Sequence, residues 1–373
     1  MILTVFYFLS CTQPLVFKYL PSNGSGHFMF GGSSERSFHK DLSINNDIEL
    51  KWSFQTTGSQ GNTSIIIYKD ILFITDLSGK IYGLDRLTGK LIGNEKYTGS
   101  IPIAPVINGV RMFFIVNNLH ERFSTFILYD LAGGKILSES KIIGGVNNEM
   151  LKLDDGIIVL SDSGELIKFN LVGQRLWSVE SKINCKVSPA SDGEVIVFGN
   201  EKGELITVSA DNGETIYRKK ICGEICGDFT TDGINTYFGE NSGILFSVRM
   251  ADGKINWAFD TKNKILSSPV LNESQIMIGN LAGDICCLSS DTGIMLWKLT
   301  TGGVINTAPL LTKNFLIQPD YNRKIYFIGP QTGKIEKTLD FEGRVKLSPV
   351  WYDGILYLGS DKGKLDAYAA LQY

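Results

Sequence analysis

Six cysteines and three histidines are the residues of this chain with the widest chemical repertoire, and their spacing decides what they can do. "ICGEIC" sets Cys222 and Cys226 apart by three residues, but no second Cys or His pair complements them, which argues against a metal clamp. His27, His39 and His120 are too scattered to build a zinc site or a Ser-His-Asp triad. Cys286 and Cys287 adjoin in "GDICCLSSDTG", an alternating stretch in which neighbouring side chains of a strand point to opposite faces. With Cys185, these four read as small buried apolar residues, and a Cys222–Cys226 disulfide is the alternative. No catalytic residue, metal or cofactor is assigned. A different set could gather a ligand: Asn147, Asn148 and Glu149 of "NNEM", Lys186, Asp228 and Lys346.

Those six polar residues stand in segments that open successive repeats. The glycine of each "TG"-like turn falls at Gly89, Gly134, Gly173, Gly213, Gly253, Gly293 and Gly333, in steps of 45 and 39 and then four of 40. Each unit reads alike, as in "DGEVIVFGNEKGELITVSADNGETIY" (192–217): a turn, an apolar run, a second Gly turn, an alternating strand, the "TG" turn and a last strand. A Ser/Ala-Pro segment opens the next unit, as in "VSPAS" (187–191), "SSPVL" (267–271) and "LSPVW" (347–351). Four short strands per 40 residues make one blade of a β-propeller. Opening strands near 62–68, 101–107, 146–153, 186–191, 226–231, 266–271, 306–311 and 346–351 give an all-β fold of eight four-stranded blades. Strands that open blades face the central channel, so their polar residues line a funnel that binds a ligand or merely holds water.

The glycines of the turns supply positive φ for tight hairpins. Gly199, Gly239, Gly279 and Gly359 keep the same clock at the end of a β-rich run, where a close backbone approach is expected. Trp177, Trp257 and Trp297 share one position, filled by Tyr217 in the blade between. Counting back reaches Leu137, Ile92 and then Trp52, in "ELKWSF" (49–54), ahead of the first complete unit. The last unit, "DGILYLGSDKGKLDAYAALQY", runs out after its third strand. The N-terminal strand is therefore expected to complete the last blade and close the ring, leaving no free edge.

Composition agrees with a strand-built, exported protein. The chain of 373 residues is 43% hydrophobic, rich in Phe (21) and Tyr (14), and no long segment has apolar residues at helical spacing. A net charge of −3 leaves no basic excess for nucleic acid. "MILTVFYFLSC" is too short to span a bilayer and runs straight into Cys11. It resembles a bacterial lipoprotein signal over residues 1–11, which implies lipidation of Cys11 and a stable two-chain membrane anchor. Residues 12–44, with "PSNGSGHFMFGGSSERSFHKD", read as a tether, and residues 45–373 as the propeller.

"GKIYGLDRLTGKL" (79–91), "GDICCLSSDTGIMLW" (283–297) and "GSDKGKLDAYAA" (359–370) resemble the repeat of the quinoprotein, or PQQ-like, β-propellers, over roughly residues 45–371. The resemblance implies that Trp52, Trp177, Trp257 and Trp297 pack across to the next blade. Ile92, Leu137, Tyr217 and Lys337 depart from the pattern, so weaker contacts are expected there. An eight-bladed propeller behind a lipoprotein signal looks most like the BamB type, outer-membrane lipoproteins that scaffold insertion of β-barrel proteins. That implies a non-catalytic envelope scaffold with protein partners, on the outer membrane and facing the periplasm; Thr12, where an Asp would signal inner-membrane retention, agrees. The alternative within the resemblance is a periplasmic quinoprotein-like enzyme or ligand sensor. Such an enzyme implies a cofactor and Ca²⁺ in the funnel and a vicinal disulfide, for which Cys286 and Cys287 are the adjacent pair. The units here lack the long loops that cover the cofactor; the one visible insertion is "NNLHERF" (117–123). A surface adhesion protein is a third reading.

Overall fold

The computed structural model describes residues 13–20, 23–118 and 120–370. Cys11 lies outside them. The described residues form eight sheets of propeller type, each built on four antiparallel strands, and two of them gain a fifth strand from the N-terminal segment. Blade 5 shows the pattern: a two-residue inner strand, Thr230–Thr231, then Asn235–Gly239, Ile244–Arg249 and Ile255–Asp260. Burial follows the layering. The two middle strands are apolar and buried on both faces, while the outermost alternates exposed and covered residues.

The ring closes as the strand count requires. Ile48–Gln55 pairs antiparallel with Lys364–Ala370, so the eighth blade takes its outermost strand from the front of the chain. Closure in this way leaves no open sheet edge at the junction.

Between blades the core is built from the repeat. An added Cβ on Gly213, whose φ is +74°, would come within 2.7 Å of the Trp177 ring, so this turn needs glycine for both its backbone and its neighbour. The indole of Trp177 donates to the Asp211 carbonyl at 3.0 Å, and Trp52, Trp257 and Trp297 donate to Arg86, Ser290 and Pro330 in the same way. Two of the departures keep this contact. Tyr217 reaches the Arg249 carbonyl at 3.4 Å, and the Lys337 ammonium donates to the Asn46 carbonyl at 2.7 Å, clasping the closing strand. At these two positions a polar tip still reaches across, Tyr217 to the next blade and Lys337 to the residues just before the closing strand.

Residues 12–44 correct the tether reading over the part that is described. Leu15, Phe17, Met29, Phe30 and Phe38 are buried, and the chain crosses the propeller instead of hanging from it. Gly26–His27 adds a strand to blade 1, and His39–Lys40 adds a parallel one to blade 7. Between them the segment winds around the axis. Backbone amides of Ile107, Ser191, Thr231, Leu271 and Leu311, each on a different blade, donate to carbonyls of Phe28, Ser34, Glu35, Ser37 and Phe38. The composition hid this because the five apolar residues follow no period of 2 or 3.6.

Candidate functional site

The winding segment crosses the central channel, where Phe30 joins the lining of its funnel. Its floor is fixed by Arg36, which is fully buried and has a left-handed backbone, φ 54°. The guanidinium lies over the Phe30 ring at 5.3 Å, and it donates from Nε to the Pro189 carbonyl at 2.6 Å and from Nη2 to the carbonyls of Glu149 at 2.7 Å and Met150 at 3.2 Å. A buried cation is tolerable only with such partners. Its Nη1 is buried without one, an exception that leaves Arg36 short of full pairing.

All six candidate residues line the funnel above that floor, around a cavity of about 160 Å³. They divide by depth. Asn148 is buried and donates to the carbonyls of Leu160 at 3.1 Å and Cys185 at 3.0 Å, which ties two blades together. Glu149 is also buried; its carboxyl accepts from the Ala104 amide at 3.1 Å. Burial pushes Glu149 up to about 8, against the pull of Arg36 and of the Ala104 amide. Asp228 joins three blades, accepting from the Ser188 amide at 2.6 Å and from the Ser268 hydroxyl at 3.1 Å. These three are bound into the frame by their own hydrogen bonds.

The other three stand nearer the mouth. Asn147 donates to Asp162 at 2.6 Å, Lys186 pairs with Glu201, and Lys346 donates to the Tyr321 hydroxyl at 2.9 Å while lying over its ring. Asn306 and Asn62 complete the polar wall, with the Tyr321 hydroxyl bonded to Asn306 and Lys346 behind it, and none of the three was among the expected residues. Asn306 was readable: it lies 40 residues before Lys346 and 120 after Lys186, at the same repeat position. Tyr321 keeps the clock too, at the turn position that Glu201 takes 120 residues earlier, but its aromatic type does not recur there.

The remaining chemistry-bearing residues do not converge. Cys286 and Cys287 face opposite sides of one strand, pack into separate inter-blade cores and are free thiols, held above their ordinary pKa by burial. Cys185, Cys222 and Cys226 are free too. His27 is buried in the winding segment and His120 exposed on a blade 2 turn. Among the described residues no group of three or more His, Cys, Asp or Glu is placed to hold a metal ion. The cavity itself is about 160 Å³, with the Phe30 ring among its lining.

Comparison with known proteins adds the family. A family model described as "Outer membrane protein assembly factor BamB" matches residues 42–172, 170–303 and 241–372, which together span the propeller. The chain belongs to this family. The BamB of Legionella pneumophila (strain Paris) is 26% identical over 179 residues, covering 44% of this chain and 46% of that protein. This chain spans less than two thirds of the length of each curated BamB relative it matches. The crystal structure of BamB from Moraxella catarrhalis superposes with a TM-score of 0.71 at 16% identity, over 86% of this chain and 99% of that one. A europium-containing methanol dehydrogenase superposes with a TM-score of 0.77 at 10% identity, over 94% and 99%. At such identities the likeness is one of fold, shared between an assembly factor and an enzyme.

Proposed function

We infer that this protein is a non-catalytic scaffold of the cell envelope, anchored through lipidated Cys11 and engaged in assembly of outer-membrane β-barrel proteins from the periplasmic side. The observation that carries the reading is the BamB family match, which runs through every blade, together with relatives that bear that name. The funnel supports the non-catalytic part: its acid and amide groups are already engaged with the frame, and its cysteines are spread through the core. Rims of rigid blades are the natural contact surface for protein partners. Among the described residues no helix is long and apolar enough to cross a membrane.

Crosslinking in cells followed by mass spectrometry tests the scaffold. Recovery of envelope-assembly components is expected, and failure to recover any would overturn the role. Mutation of Cys11 to Ser should release the protein from membranes. A second reading, a small polar ligand held by Asn147, Lys186, Asp228 and Lys346, is favoured by their convergence on one cavity. Incubation with the quinone and Ca²⁺, assayed with alcohols and sugars, should give no turnover.

A further inference from the structure

Blade 1 carries no aromatic at the position where four blades have Trp, and its third and fourth strands carry Gly83 and Gly93 where side chains stand in the other blades. The result is a slot between blades 1 and 2, open to the outer wall. Residues 13–17 fill it. The Gln13 carbonyl accepts from the Asn94 amide at 2.9 Å on the outermost strand of blade 1; Leu15 donates to Glu95 at 3.3 Å and accepts from the Tyr129 hydroxyl at 3.1 Å on blade 2; the Phe17 amide donates to the Leu131 carbonyl at 2.7 Å. Leu15 is completely buried and Phe17 packs edge-on against Phe73. Any side chain on Gly83 would strike Leu15 and Phe17, and one on Gly93 would strike the backbone of Pro14.

Cys11 precedes Gln13 by two residues, so even a fully extended chain allows no more than about 7 Å between them. We propose that residues 13–17 are a short leash that holds the outer wall of blades 1 and 2 directly against the lipid surface, so that the propeller stands on edge. This rests on the lipid-anchor reading of Cys11. The bilayer is the occupant of that wall because the acylated residue cannot leave it. In this posture the funnel axis runs along the membrane, and both faces of the ring stay open to protein partners. A tether of residues 12–44, by contrast, would let the propeller tumble freely at the surface.

The test uses the full lipidated protein in vesicles whose headgroups carry an energy-transfer acceptor. Single fluorophores are placed at Lys96→Cys and Glu139→Cys on blades 1 and 2, and at Ala258→Cys and Lys298→Cys on blades 5 and 6, half-way round the ring; all four sites are exposed. Transfer severalfold stronger from the first pair than from the second is expected. Insertion of a Gly/Ser stretch between residues 12 and 13 leaves the slot contacts intact and should remove the difference. Equal transfer from both pairs in the uninserted protein, while it remains vesicle-bound, would overturn the posture and spare the anchor. Membrane retention unchanged by Cys11→Ser would overturn the anchor and the leash with it.

Discussion

Val16 lies against the Gly134 turn of blade 2 in the place that Trp177 takes against Gly213. A residue from outside the repeats thus supplies a contact that four blades make with an indole of their own. Strand register puts Gly93 of blade 1 and Ser138 of blade 2 at the position of the missing indole, one residue beyond the expected Ile92 and Leu137, and the incoming segment supplies the volume that Gly93 lacks.

Truncating Leu15 should therefore cost stability like a core residue. Leu15→Ala should lower the free energy of unfolding by about 2 kcal/mol, the low end of the range for buried Leu→Ala, because the slot reaches the surface and can partly collapse. Leu15→Asp should expel the segment, and trypsin should then cut after Lys18 much faster while the blades stay resistant. Equal cleavage in both proteins would show that the segment is not held by this side chain.

Arg36 gathers three carbonyls from two neighbouring blades at the floor of the funnel. Arg36→Ala leaves the buried carbonyls of Pro189, Glu149 and Met150 short of donors, and should lower stability by about 3 kcal/mol in denaturant titration. Arg36→Lys should recover only part of this, since one ammonium cannot reproduce the planar fork. A full rescue by lysine would mean that charge alone matters.

Much of the ring was legible in the sequence because a repeat displays its own register: the 40-residue clock fixes the turns and the closing strand, and it misses the Trp position by one residue only in blades 1 and 2, where the unit length changes. An added Cβ on Gly239 would fall on Ile265 of the next blade, the kind of close approach that its place on the clock called for. The funnel residues were legible for the same reason, since Lys186, Asn306 and Lys346 are one position in three units. The winding segment was not. Its hydrogen bonds are backbone to backbone around an axis, and its side chains serve single sites such as the Phe30–Arg36 stack, so nothing in it recurs.

Lys337 illustrates how a departure from the pattern can keep its role. Its ammonium donates to the Asn46 carbonyl and lies 3.7 Å from the Asp47 carboxylate, at the start of the strand that closes the ring. Lys337→Met should selectively speed amide hydrogen exchange over residues 48–55, with a loss of about 1 kcal/mol or less in global stability, as befits one partly exposed contact. Exchange that rises equally in all blades would show that this contact does not govern closure.

Glu149 offers a pH signature of the buried floor. Its folded value of about 8 lies above the ordinary 4.5, so between those values the unfolded chain releases a proton that the native protein retains. With fewer protons bound in the unfolded state, stability falls as pH rises through this window and levels off above about 8. Glu149→Gln keeps the shape and an acceptor for the Ala104 amide but cannot ionise. The variant should unfold at nearly the same temperature as the parent at pH 5 and several degrees above it at pH 9, because only the parent must then either bury a carboxylate or hold a proton against the solvent. Burial lowers Arg36 to about 10 against the pull of Asp228 and Glu149, so in the parent it stays largely charged across the window. A gap between the two melting temperatures that is constant from pH 5 to pH 9 would mean that Glu149 is ionised in the native floor throughout.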